Sequence, residues 1–232
     1  MWLEQAEAVG IELTAVQQSQ FTKYGELLLA WNQRINLTAV RTLPEIQTRH
    51  FLDSLFCATV MGELNGRSLI DIGTGAGFPG LPLKILYPEL RLTLAESVGK
   101  KARFLETVVE HLGLEQVVVY ADRAETLGRN PDLREQFDWA TARAVAGLPT
   151  LVEYLLPFCR VGGAVLAQKG ESAPEEVEAA KTAVSQLGGS IPTLQATPAK
   201  TGYFVTIQKV APTPAKFPRR PGMPLKRPLG NK

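Results

Sequence analysis

The chain has 232 residues, 45% of them hydrophobic and 21% charged, with a net charge of +2 at pH 7, which fits one soluble globular domain with a modest extension. No apolar stretch approaches the roughly 20 residues that span a bilayer, and the start Met1-Trp2-Leu3-Glu4-Gln5 lacks the basic head and apolar middle of a secretory signal, so the expected location is cytoplasmic, with no membrane partner. Only Cys57 and Cys159 occur, both among apolar neighbours, which favours small buried hydrophobes over a disulfide or a metal cluster.

Residues 1–66 read as a helical extension packed on the core domain. Phe21, Tyr24, Leu28, Trp31 and Ile35 recur at intervals of three and four, placing large apolar groups on one helical face. Thr42-x-x-Glu45 with Pro44 is a capping-box start for a second helix carrying Ile46, Phe51, Leu52, Leu55, Phe56 and Val60. His50, beside Arg49, reads as a hydrogen-bonded packing histidine rather than a catalytic one.

The apolar run Leu69-Ile70-Asp71-Ile72 then enters Gly73-Thr74-Gly75-Ala76-Gly77-Phe78-Pro79-Gly80. Glycine reaches positive φ without a Cβ clash and lets the main chain touch a ligand, so this turn marks a nucleotide-type cofactor site at a strand end. Gly75-x-Gly77-x-x-Gly80 also satisfies the dinucleotide pattern, so glycines alone leave the cofactor open. Asp71 favours S-adenosylmethionine, because a carboxylate at the strand end suits an amino-acid ammonium. Glu96 closes the next apolar run 21 positions after Gly75, near the spacing at which an acid reaches ribose hydroxyls, and suits either cofactor.

Residues 67–210 alternate strand and helix. Strands are expected near 68–72, 91–95, 117–120, 137–141, 163–168, 191–195 and 203–208, with helices near 79–87, 99–112, 147–158 and 174–187. This order predicts an α/β, Rossmann-like fold with a seven-stranded, mostly parallel sheet, its last two strands forming an antiparallel pair at the edge. Ala124 and Glu125 follow the third strand, where an adenine would lie. Arg143 follows the fourth, as the best cation there for a carboxylate or a phosphate. Lys169 ends the fifth near the same rim.

Charge is unevenly spread. Residues 1–178 hold all 23 acids against 16 Lys and Arg, a net of −7, whereas residues 179–232 hold nine Lys and Arg and no acid. The segment 211–232 contains six prolines with Arg219, Arg220, Lys226 and Arg227, and reads as an extended basic arm suited to a polyanion such as RNA. As an arm it is expected to contribute RNA affinity while leaving cofactor affinity alone.

Asn36-Leu37-Thr38, Arg49-His50-Phe51-Leu52-Asp53-Ser54, the glycine segment with its trailing Phe78-Pro79-Gly80, Arg143-Ala144, Lys169-Gly170 and the Phe217-Pro218-Arg219-Arg220 tail together resemble the RsmG (glucose-inhibited division protein B) family across nearly the whole chain. The resemblance implies a bacterial class I S-adenosylmethionine-dependent methyltransferase that modifies N7 of a guanine, position 527, in the 530 loop of 16S rRNA. The partner implied is that RNA, the 30S subunit or an assembly intermediate, and the default state is a monomer. Implied cofactor contacts are Gly73, Phe78, Ala124, Glu125 and Arg143, beside Asp71, Gly75, Gly77 and Glu96 read from the pattern. Lys169, Arg219, Arg220, Lys226 and Arg227 are the candidate RNA contacts. One departure is Ala95-Glu96-Ser97, where the family commonly has Leu-Asp-Ser; the glutamate carries the same carboxylate one methylene farther out.

Guanine N7 bears an in-plane lone pair and no proton, so its methylation requires positioning rather than a base, and no catalytic acid or base is expected. The Asn/Asp-Pro-Pro-aromatic motif of amino methylation and the nucleophilic cysteine of pyrimidine C5 methylation are both missing after the fourth strand, where Arg143-Ala144 stands. Two alternatives remain open: an NAD-dependent oxidoreductase, for which no positioned proton donor is evident, and a non-catalytic RNA-binding protein.

Overall fold

The computed structural model describes residues 2–230. Helix α1 (Trp2–Glu7) precedes α2 (Ala15–Asn32), whose start is fixed by a reciprocal capping box between Thr14 and Gln17. Gln17 also donates to the carbonyls of Ile85 and Leu86, tying the extension to the helix after the glycine turn. Phe21, Tyr24 and Leu28 are wholly buried, as the spacing predicts. Helix α3 (Leu43–Ile46) widens into a π-helical turn (Gln47–Leu52) and continues as α4 (Asp53–Leu55) and α5 (Ala58–Met61). Thr42 does stand at the N-cap of α3, but its hydroxyl donates to the Glu45 carboxylate at 2.7 Å and caps no amide.

The sheet contains β1 (Ser68–Ile72), β2 (Arg91–Ala95), β3 (Val117–Tyr120), β4 (Phe137–Arg143), β5 (Cys159–Lys169), β6 (Thr193–Ala196) and β7 (Tyr203–Gln208), in the order β3-β2-β1-β4-β5-β7-β6. The first five pair in parallel, and β7 runs antiparallel to both β5 and β6, which gives the expected antiparallel pair at one edge. Strand β4 runs two residues beyond its expected end, so Arg143 belongs to the ladder and pairs in register with Gln168 of β5. The connecting helices are α6 (Gly80–Leu86), α7 (Gly99–Leu112), α8 (Ala124–Leu127), α9 (Leu148–Leu155) and α10 (Ala173–Gln186).

Alternate residues of each strand face opposite sides. Leu69, Leu92 and Leu94 pack with Phe21, Phe51 and Phe104 from α2, the π-helical turn and α7, so the N-terminal helices share the core on that face. Ile70, Ile72 and Val165 pack with Leu151 of α9, Val177 of α10 and Phe217 from the C-terminal segment.

That last contact corrects the expectation of an extended arm. Phe217, Pro218 and Pro224 are buried, and the Arg134 guanidinium donates to the carbonyls of Phe217 and Thr213. A short helix, α11 (Met223–Lys226), tolerates Pro224 because a first-turn residue needs no amide partner. The tail is held by apolar anchors and by carboxylates on the body, which its own composition does not reveal. Residues 231 and 232 lie outside the described residues.

Candidate active site

Beyond β1 the chain turns through Gly73, Gly75 and Gly77 at φ of +65°, +63° and +99°, a region that side chains disfavour. A Cβ on Gly77 would overlap Leu81 and the Tyr24 hydroxyl, and one on Gly73 would lie 2.8 Å from Val145 Cγ2. Around Gly75 the space is open, with only the Gly73 carbonyl oxygen at 3.9 Å, so a ligand has room to approach the main chain there, although the Gly75 amide itself donates to Glu96.

Two carboxylates frame this turn. Asp71 is fully buried, and its Oδ2 accepts from Thr74 Oγ1 at 2.7 Å and from the Gly80 amide at 2.9 Å. Its Oδ1 is buried without a partner. Burial pushes its pKa up to about 7, against the opposing pull of those two hydrogen bonds and of Arg143. Glu96, at the end of β2, accepts from the Gly75 amide at 3.0 Å and the Val98 amide at 2.8 Å, so the turn and the second strand are clamped together. Each of its oxygens retains acceptor capacity.

The next layer is aromatic. Phe78 stacks on His50 with centroids 4.7 Å apart and on Tyr24 at 5.6 Å, and the Arg143 guanidinium carbon lies 4.8 Å from its ring centroid. Arg143 donates to Asp53 Oδ2 at 2.9 Å, and its second terminal nitrogen is 3.4 Å from His50 Nδ1. His50 Nε2 is 2.7 Å from the Thr38 hydroxyl. Burial, and then Arg143, hold the imidazole pKa down at about 4, so His50 is neutral near pH 7. This agrees with a packing role, and it places His50 directly against Arg143.

Two openings flank the end of β4. One, of about 280 Å³, is bounded by Gly73, Ala95, Ala124, Glu125, Gly222 and Leu225, among others. It brings the expected Ala124 and Glu125 beside the glycine turn, but it also uses the C-terminal segment as a wall, and the Glu125 carboxylate accepts from the Gly222 amide at 2.8 Å. The other, of about 510 Å³, lies on the far side of Arg143, between Arg49 and Asp53 of the N-terminal helices and Gln168, Lys169 and Thr201 at the ends of the last strands.

The expected RNA contacts divide. Arg220, Lys226 and Arg227 are exposed. Lys169 sits at the larger opening, paired with Glu176 at 2.7 Å and donating to the Ala146 carbonyl. Arg219 is turned inward: its amide and guanidinium donate to Glu153, whose side chain is wholly buried, with the shortest contact at 2.6 Å. Sequence reading misses three residues of this site. Tyr24 is legible there only as a member of an apolar face, yet its hydroxyl donates to the Ala76 carbonyl inside the turn. A buried tyrosine on such a face needs a hydroxyl partner, and that is the available signal. Asp53 lies in the 49–54 segment that carries the resemblance, but nothing local marks its partners, and Gln168 carries no local signal.

Against known proteins, residues 17–200 match the family described as rRNA small subunit methyltransferase G. A protein of that name from Roseiflexus castenholzii is 53% identical over 97% of both chains, and one from Geobacillus thermodenitrificans is 43% identical over 96% of this chain and 95% of its own. Among solved structures, a SAM-dependent O-methyltransferase from Thermotoga maritima superposes with a TM-score of 0.54 at 16% identity, covering 81% of this chain and 72% of its own. The O-methyltransferase TomG from Streptomyces achromogenes, solved with SAM, gives 0.54 at 15%, covering 83% and 90%. The chain belongs to the rRNA small subunit methyltransferase G family and carries the class I S-adenosylmethionine-dependent methyltransferase fold.

Proposed function

We propose that this protein transfers a methyl group from S-adenosylmethionine to N7 of one guanine in the 530 loop of 16S rRNA, acting as a cytoplasmic monomer on the 30S subunit or an assembly intermediate. Family membership supports ribosomal RNA methylation as the reaction class. The observation that carries the finer reading is the chemistry at the end of β4. The group there is the cation Arg143, the neighbouring imidazole has its Nδ1 turned toward that cation, and neither Cys57 nor Cys159 is an available nucleophile. Both thiols are buried, and burial pushes Cys159 up to about 12 and Cys57 well above the ordinary value. A site of this kind suits an acceptor atom that carries no proton, as N7 does.

The residues present fit the methyl donor. The orphaned Asp71 Oδ1 is a buried acceptor suited to an ammonium, the remaining lone pairs of Glu96 suit a ribose diol, and the 280 Å³ pocket beside Ala124 suits an adenine. Bound S-adenosylmethionine supplies a methyl group activated by its sulfonium. The protein's part is to hold and orient. The glycine turn offers open backbone at Gly75, and the Phe78 ring, held between Tyr24 and His50, supports the Arg143 guanidinium. Asp53 holds that guanidinium through an ion pair at 2.9 Å. Such fixed donors need no rearrangement when substrate arrives.

The test is transfer of labelled methyl groups to bacterial 30S subunits lacking the modification, followed by borohydride and aniline treatment, which breaks RNA at 7-methylguanosine. A single break in the 530 loop is the expected result. Labelled RNA that resists cleavage would place the methyl on another atom, and unlabelled RNA in the presence of bound cofactor would end the reading.

A further inference from the structure

The 510 Å³ opening beyond Arg143 has the size of a small-ligand site and a distinctive wall. Asp53, the first residue of α4, is clamped by two donors on one oxygen. Arg143 reaches Oδ2 at 2.9 Å and Gln168 Nε2 reaches it at 3.2 Å, while the same amide nitrogen donates to the Asp53 main-chain carbonyl at 3.0 Å. Oδ1 has no hydrogen-bond partner among the described residues, and about a quarter of the side chain is exposed, at 26%. The Gln168 amide cannot be reversed, because its oxygen would then face two oxygens of Asp53. Its Oε1 is buried and unpartnered, so the free acceptor of this clamp is Asp53 Oδ1. Arg49, exposed and without an ion partner among the described residues, stands at the rim, whereas Lys169 there is paired with Glu176.

A free carboxylate oxygen near an exposed cation suits a ligand with adjacent donors and a phosphate. Guanine presents such a pair, N1–H and the 2-amino group, side by side on its Watson–Crick edge. Adenine offers an acceptor at N1, cytosine an acceptor at N3, and uracil a single N–H. Resting on the function proposed above, we infer that this opening receives the target nucleotide and that Asp53 Oδ1 reads the Watson–Crick edge of its guanine, with the phosphate toward Arg49. Reading that edge leaves N7, on the imidazole side of the base, free to face the methyl donor. Asp53 then determines base identity, and Arg143 and Gln168 are the residues that orient it.

The test is equilibrium binding of 5′-GMP, IMP and AMP to the full-length protein saturated with S-adenosylhomocysteine, read by titration calorimetry or saturation-transfer NMR. The wild type is expected to bind GMP about tenfold more tightly than IMP, which lacks only the 2-amino group, and AMP least. In Asp53→Asn the clamping donors hold the amide oxygen, so its NH₂ faces the opening and meets guanine donors with a donor. GMP preference is then lost, and AMP gains relative to it. A carboxylate that served only to hold Arg143 would weaken all three nucleotides in the same proportion, and that result overturns the inference, as does equal binding of GMP and IMP by the wild type. The IMP comparison needs no variant and stands even if Asp53→Asn folds poorly. Unselective nucleotide binding by an enzyme that still methylates guanine N7 in 30S subunits removes the inference alone. Failure to methylate any guanine removes the proposed function, and the inference with it.

Discussion

The hydroxyl of Tyr24, on α2, donates to the main-chain carbonyl of Ala76, 52 residues downstream in the middle of the glycine turn. The ring is fully buried between Phe51 and Phe78, so the N-terminal extension contributes a hydrogen bond to the conformation of the glycine turn itself. Burial raises the phenol well above its ordinary pKa, which keeps it a proton donor across the physiological range.

Tyr24→Phe keeps both ring contacts and removes only the donor. It should cost about 1–3 kcal/mol, the penalty for a buried carbonyl left unpaired, and weaken cofactor binding more than a comparable core substitution far from the turn. Urea unfolding and cofactor titration of the same variant check this. Unchanged cofactor affinity would show that Gly73 to Gly77 hold their shape without α2.

The buried Asp71 predicts a pH dependence. Its folded pKa of about 7 lies above the ordinary 3.8, so the ligand-free protein favours the protonated form and loses stability as pH rises through that interval. An ammonium-bearing ligand favours the carboxylate instead. Cofactor affinity should therefore rise with pH up to about 7, and fall again above roughly 8 as the ligand's own amine deprotonates. Calorimetry from pH 5.5 to 8.5 should lose the rising limb in Asp71→Asn; a limb that persists there belongs to some other group.

Arg143→Ala removes the second-largest cause of the low His50 pKa, so the imidazole should titrate measurably above about 4, though still below 6.5 because burial remains. A folded-state pKa below the ordinary value means that His50 contributes stability above about pH 6.5 and loses it as pH falls toward 4, so the variant should also tolerate acid better at this site. Methyl transfer should fall by about two orders of magnitude through loss of positioning. NMR titration of His50 and single-turnover rates report the two effects separately. Full activity with unchanged cofactor affinity would remove Arg143 from the site.

The C-terminal segment yields the fourth prediction, and it reverses the expectation from composition. Because Gly222 and Leu225 line the pocket beside Ala124, deleting residues 212–230 should weaken cofactor binding as well as RNA binding. Arg219→Ala leaves the wholly buried Glu153 carboxylate without its ion partner and should destabilise the protein by about 3–5 kcal/mol. The double variant Arg219→Ala/Glu153→Gln should recover much of that loss. Cofactor affinity that survives the truncation would mean that the tail wall is dispensable.

How much of the fold is legible in the sequence depends on the range of the forces involved. The strands are visible because each is a short apolar run bounded by turn residues, and the glycine turn because its conformation is written into consecutive residues. The ends of strands are less so: β4 continues to Arg143 because Gln168 pairs with it across the ladder, a partner 25 positions away. The tail misleads for a related reason. Prolines and arginines signal a solvated strand of chain, whereas Glu153 and Glu125, which accept from Arg219 and Gly222, lie 66 and 97 positions earlier. Asp53 is visible only as part of the 49–54 segment; its partners stay hidden because only the fold brings Arg143 and Gln168 to it.

The wall supplied by Gly222 and Leu225 also imposes an order in time. Translation completes every strand of the sheet, and the whole glycine turn, before these residues are made. A nascent chain that has already assembled its sheet still has the 280 Å³ opening unwalled on one side until synthesis has passed residue 225.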